Sequence, residues 1–80
     1  MKRTIRDPEF LKLLGERIKE IRKANGFKSQ EKFAIKSKIL RSHYSRYENG
    51  SNITLISLYA ILKAHKMSFK KFFSEGFGKY

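Results

Sequence analysis

Apolar positions along the chain fall into short helical runs separated by polar punctuation. Phe10, Leu11, Leu14, Ile18 and Ile21 recur at three- and four-residue intervals, which puts them on one face of a helix. Asp7 offers a capping oxygen, Pro8 lacks an N–H that a first turn leaves unused anyway, and Asn25-Gly26 supplies a left-handed stop. These signals predict a first helix over about 8–24. Ser29 then caps a short second helix containing Phe33 and Ala34, and a third helix fits 41–48. Thr54 caps a fourth, with Leu55, Leu58, Tyr59 and Leu62 as its core stripe, and Ser68 caps a last turn or two with Phe69, Phe72 and Phe73. No alternation of period two persists anywhere. The pattern predicts an all-α fold of five helices and no sheet: a domain over 8–73, preceded by a basic arm at 1–7 and followed by a short tail at 74–80.

Composition narrows the partner. Eighty residues suffice for one domain, and 40% hydrophobic residues with 14% aromatics can build a core. Against 7 acidic residues stand 19 Lys and Arg, a net charge of +12 that points to a polyanion. The absence of cysteine removes disulfides, thiolate zinc sites and thiol nucleophiles. Glu9, Lys12 and Glu16 interrupt the stretch after the basic N-terminus, so it does not read as a signal peptide. The longest run free of charge, Asn49 to Leu62, is 14 residues, short of the ~20 apolar residues a membrane span needs. A cytoplasmic, nucleoid-associated protein with no membrane partner is the expectation.

The segment from Ser29 to Gly50 carries the chemistry. Short helix, tight turn, second short helix and glycine stop make the outline of a helix-turn-helix, which lays its second helix in the DNA major groove. With Arg41 at zero on a helical wheel, Ser45, Ser42 and Arg46 lie at about 40°, 100° and 140°, while Tyr44 and Tyr47 fall near 300° and 240°. One face is small and cationic, the other aromatic. Arginine bonds guanine bidentately and serine lets the backbone approach, so this face suits base reading; the ordinary alternative is an amphipathic helix with two solvated arginines. Three neighbouring features favour the first. Ala34 permits close approach where the two helices cross. Gln30 lies in a first turn whose amide groups can hold a phosphate. Lys28, Lys32, Lys36, Lys38, Arg41 and Arg46 face a single anion, Glu31, within 28–47.

Gly26-Phe-Lys-Ser-Gln30, Glu31, Phe33-Ala34, Ile39, Arg41-Ser42, Ser45-Arg-Tyr-Glu-Asn-Gly50 and Thr54-Leu55 together resemble the lambda repressor/Cro-like (Xre) helix-turn-helix family over roughly 10–73. The resemblance implies a compact five-helix lambda repressor-like DNA-binding domain acting as a dimeric transcriptional regulator, repressor-type, on a two-fold symmetric operator. It implies that Arg41, Ser42 and Arg46 read bases with Ser45 close by, and that Gln30 meets a phosphate. Asn49, Ser51 and Asn52 would approach the backbone with Lys28, Lys36 and Lys38, and Arg22 and Glu48 would form a structural ion pair. The sequence departs from the family pattern at Lys28, an extra residue in the first loop, at Lys38, where a turn glycine is common, and at Leu40, which replaces the usual Ser or Thr cap.

Other chemistry finds no constellation. His43 and His65 are far apart with no cysteine or carboxylate pair to complete a metal shell, and the sole aspartate, Asp7, is a helix cap. No metal, cofactor or catalytic residue is expected. Helix 4 is apolar nearly all round, which predicts a homodimer interface at Ile56, Ala60 and Ile61 with Phe69, Phe73 and the Phe77 region. The alternatives are helix 5 and the tail folding over these residues in a monomer, and an antitoxin-like module that grips a toxin-like protein partner and autoregulates its operon. A charge-only RNA or nucleoid binder is a further reading, but it needs no small, defined reading face.

Overall fold

Capping side chains set the helix boundaries. A computed structural model describes residues 7–80; the proposed basic arm, apart from Asp7, lies outside the described residues. The helices are α1 Pro8–Ala24, α2 Gln30–Ser37, α3 Arg41–Glu48, α4 Leu55–Ala64 and α5 Phe69–Phe72, with no strand among the described residues. Side-chain oxygens of Asp7, Ser29, Thr54 and Ser68 accept from the N–H groups of Phe10, Lys32, Ser57 and Lys71 at 3.0 to 3.2 Å. Each oxygen satisfies an amide that the first helical turn leaves free. Only α3 starts without a side-chain cap, at Leu40.

The core forms where all five helices meet. Leu14, Ile18 and Ile21 of α1 pack with Phe33 and Ala34 of α2, Tyr44 of α3, Leu58, Ile61 and Leu62 of α4, and Phe72 of α5. Aromatic edges interlock there: the Phe33 ring lies 5.1 Å from Tyr44 and 5.2 Å from Phe27 between centroids. Between α1 and α3 the approach is closer than any side chain permits. A Cβ on Gly15 would come within 2.6 Å of the Glu48 carbonyl oxygen and 2.7 Å of that of Tyr47, so only glycine lets the end of α3 rest on α1.

Two expectations are corrected in α4 and the tail. The core stripe is Leu58, Ile61 and Leu62, while Leu55, Ile56 and Tyr59 are exposed. Ile61 is 0% exposed and therefore has no surface to give to a dimer interface. A helix apolar on every side offers no polar face to fix its rotation, and packing against α2 and α5 settles it instead. Phe77 is also part of the core rather than of an outer patch. Residues 74–80 turn back under α1, with Phe77 against Phe10 and Phe73 and with Tyr80 edge-on to Phe10 at 5.0 Å. Arg17 ties this end down, donating from Nε to the Phe72 carbonyl at 3.1 Å and pairing with Glu75 at 3.5 Å. The tail thus covers the α1 side and leaves Ile56 open.

Candidate nucleic-acid interface

The turn that joins α2 to α3 is closed by a residue the sequence marks as irregular. Lys38 adopts the left-handed conformation, φ 63° and ψ 29°, where glycine is usual. Its N–H donates to the Ile35 carbonyl at 3.3 Å and that of Ile39 to the Ala34 carbonyl at 3.2 Å, a Schellman closure that ends α2 and redirects the chain. Ile39 then packs against the core, and the Leu40 carbonyl accepts from the Tyr44 N–H at 2.9 Å to open α3.

Tyr44 fixes the rotation of α3. Its ring is fully buried, and burial together with the neighbouring Glu48 carboxylate raises its pKa well above the ordinary phenol range. Among the described residues no partner satisfies its hydroxyl in hydrogen-bond geometry. With that side inward, Arg41, Ser42 and Arg46 are exposed and Ser45 is half-buried beside them. Tyr47 lies half-buried and donates to Ser57 Oγ at 3.4 Å, joining α3 to the first turn of α4. Thr54 Oγ1 donates to the same Ser57 oxygen at 2.9 Å.

Beneath the C-terminal end of α3 lies a buried polar knot. Arg22 Nε donates to Glu48 Oε2 at 2.7 Å and Arg22 Nη1 to the Phe27 carbonyl at 2.7 Å. Gln30 Nε2 donates to Glu48 Oε1 at 2.9 Å. The Gln30 amide, expected to meet a phosphate, is thus turned inward onto Glu48. Burial on its own pushes the Glu48 carboxyl up, but the hydrogen bonds from Arg22 and Gln30 and the arginine charge outweigh it, and the pKa ends below the ordinary value. This carboxylate is an anchor, committed on both oxygens.

The remaining polar candidates separate into two groups. Asn49, Ser51 and Asn52 are exposed just past α3, where Gly50 at φ 93° turns the chain and the Ser51 N–H donates to the Arg46 carbonyl at 2.9 Å. Ser51 and Asn52 line a cleft of about 330 Å³ with His43, Arg46 and Tyr47, so His43 joins this edge although its sequence context suggested no role. Lys36 and Lys38 lie elsewhere. They border a cleft of about 430 Å³ with Ser37, Lys63 and Lys66 at the far end of α4. Lys28 is exposed in the loop before α2. His65 caps α4 with its ring stacked on Phe33 at 4.2 Å and its Nδ1 3.1 Å from Asn25 Nδ2; burial and then the Lys36 charge push its pKa down to about 4. Among the described residues no three His, Cys, Asp or Glu side chains gather as a metal site. No described helix is long and apolar enough to cross a membrane.

A second surface is apolar. Leu55, Ile56, Tyr59 and Phe69 line a cleft of about 410 Å³, with the Tyr59 and Phe69 rings parallel within 7° at 6.4 Å.

Two short helices packed together, the first with a buried alanine, joined by a left-handed turn, with small and cationic side chains outward on the second, define a helix-turn-helix DNA-binding domain. The helix-turn-helix family model matches residues 18–72, from the middle of α1 to the last residue of α5. The chain belongs to this family, the Xre or lambda repressor-like helix-turn-helix proteins, and is a DNA-binding transcriptional regulator of a generally non-enzymatic class. No curated protein matches the chain.

Proposed function

We propose that the protein is a sequence-specific, repressor-type regulator of double-stranded DNA that acts in the cytoplasm as a homodimer on a two-fold symmetric operator. The observation that carries this reading is the fixed orientation of α3: Tyr44 is locked inward, so Arg41, Ser42, Ser45 and Arg46 form a thin, cationic outer face able to enter a major groove. Arg41 and Arg46 read bases, the serines admit the helix, and Asn49, Ser51, Asn52 and His43 meet phosphates at its C-terminal edge, with Lys28 beside α2. Lys36 and Lys38, grouped with Lys63 and Lys66, add a general attraction for the polyanion.

The dimer contact uses the apolar cleft. Ile56 with Leu55, Tyr59 and Phe69 meets the same residues of a second copy, because a two-fold contact pairs one patch with itself, and the contact extends to Ala60, which lines the lysine cleft, and to the exposed part of Phe73. Two α3 helices then lie about 34 Å apart in successive major grooves. The same cleft supports the second reading, in which a toxin-like protein covers it.

Selection of bound sequences from random duplexes, with light scattering for mass, tests both. A palindromic motif and a dimer mass are the expected result. A motif without symmetry, or a one-to-one complex with a co-expressed protein in place of the dimer, sinks the homodimer.

A further inference from the structure

Leu40 occupies a position where the fold gains nothing from a large apolar side chain. The residue before it, Ile39, packs into the core, whereas Leu40 is 67% exposed. Its contribution to α3 is a backbone carbonyl that any residue supplies, and the side chain withholds the capping oxygen that a serine or threonine would bring. Leu40 borders a shallow groove of about 330 Å³ together with Arg41, Ile35 and Glu31. Sharing that groove puts the Arg41 and Leu40 side chains on one surface at the N-terminal end of α3.

Helix-turn-helix units meet base edges with the N-terminal residues of the second helix, and the apolar feature of a base edge in the major groove is the thymine methyl. We propose that Leu40 is a specificity-determining residue, packing on the C5 methyl of a thymine at the base step next to the guanine held by Arg41. This rests on the regulator reading above. It accounts together for the missing cap, which costs stability, and for the leucine left exposed at the tip of the reading helix, which contributes none.

The test uses duplexes selected by the wild-type protein, with the Arg41 guanine identified as the position whose preference Arg41→Ala loses. Each neighbouring thymine is replaced by deoxyuridine, which removes the methyl and keeps the base pair. Wild-type affinity is expected to fall about fourfold at that step, the worth of one buried methyl, while Leu40→Ser binds both duplexes equally. Leu40→Ser should melt no lower than the wild type, since serine restores a cap, so lost discrimination is not lost folding. A wild-type protein indifferent to deoxyuridine beside that guanine, or a Leu40→Ser protein that keeps the full penalty, overturns the assignment of Leu40 alone and leaves that side chain to a protein contact shared with Ile35. A wild-type protein that selects no sequence overturns the regulator reading together with it.

Discussion

Arg22 and Glu48 meet across 2.7 Å in a place where both side chains are all but closed to solvent, their exposure 4% and 1%. A buried pair of this kind adds little when compared with apolar replacements, yet removing one member strands the other without water. Glu48→Ala is expected to cost about 3–5 kcal/mol, enough to unfold much of a small domain, with the loss read by urea denaturation. Reversal to Glu48→Arg with Arg22→Glu should recover part of it.

Acid sensitivity follows from two groups with depressed pKa values. The unfolded chain takes up a proton on His65 as pH drops through about 6.5, while the folded chain refuses it until about 4, so stability declines across that window. Glu48, also lowered, contributes stability above the ordinary carboxylate value and loses it as pH falls through its folded pKa. The denaturation midpoint should therefore fall steadily from pH 7 downward. His65→Phe, which keeps a ring on Phe33, should flatten the profile between 6.5 and 4; an unchanged slope there excludes His65 as its source.

Gly15→Ala gains about 1 kcal/mol of helix propensity in isolation but drives a methyl into backbone carbonyls of α3. The clash wins. A net loss of ~1–3 kcal/mol is expected, accompanied by weaker DNA binding as α3 shifts. Gly26→Ala, with open space around it, carries only the strain of φ 87° and should leave affinity for DNA unchanged. Thermal melts and gel-shift titrations of the two variants separate the causes.

On the selected operator, Arg41→Ala and Arg46→Ala should each lose ~1–3 kcal/mol of binding and relax the sequence preference. Lys28→Ala should weaken cognate and random duplexes alike and reduce the salt slope by about one. Equal losses on both duplexes for all three variants would remove the distinction between base and phosphate contacts.

Ile56→Glu leaves the core untouched, since the side chain is 71% exposed. The expected outcome is a monomer by light scattering with an unaltered melting temperature. Affinity for an isolated half-site should persist while that for the full palindrome falls to the half-site value.

How far the sequence discloses this molecule depends on how local each determinant is. Capping oxygens act within three residues, so Asp7, Ser29, Thr54 and Ser68 announce their helices directly, and the aromatic side of α3 follows from Tyr44 and Tyr47 alone. Rotation of α4 is not legible, because Leu55, Ile56, Tyr59 and Ile61 are chemically alike and only the surfaces of α2 and α5 choose among them. Gly15 stands inside a helical pattern where glycine costs about 1 kcal/mol, a local anomaly that flags a close approach without saying to what. The inward turn of Gln30 depends on Glu48, 18 residues away, and no spacing rule reveals that Glu48 Oε1 accepts from it.

The polar attachments of α3 gather at one end. Gly15, Arg22, Gln30 and the Tyr47–Ser57 contact all grip its last turn, while its first turn begins uncapped at Leu40 and is seated by the core-packed side chains of Ile39 and Tyr44. Mechanically it is a beam eight residues long, supported at both ends by different means. Hydrogen bonds and an ion pair hold the far end, two apolar side chains hold the end that carries Leu40 and Arg41, and the helix meets a duplex as a rigid rod whose pose is set beforehand.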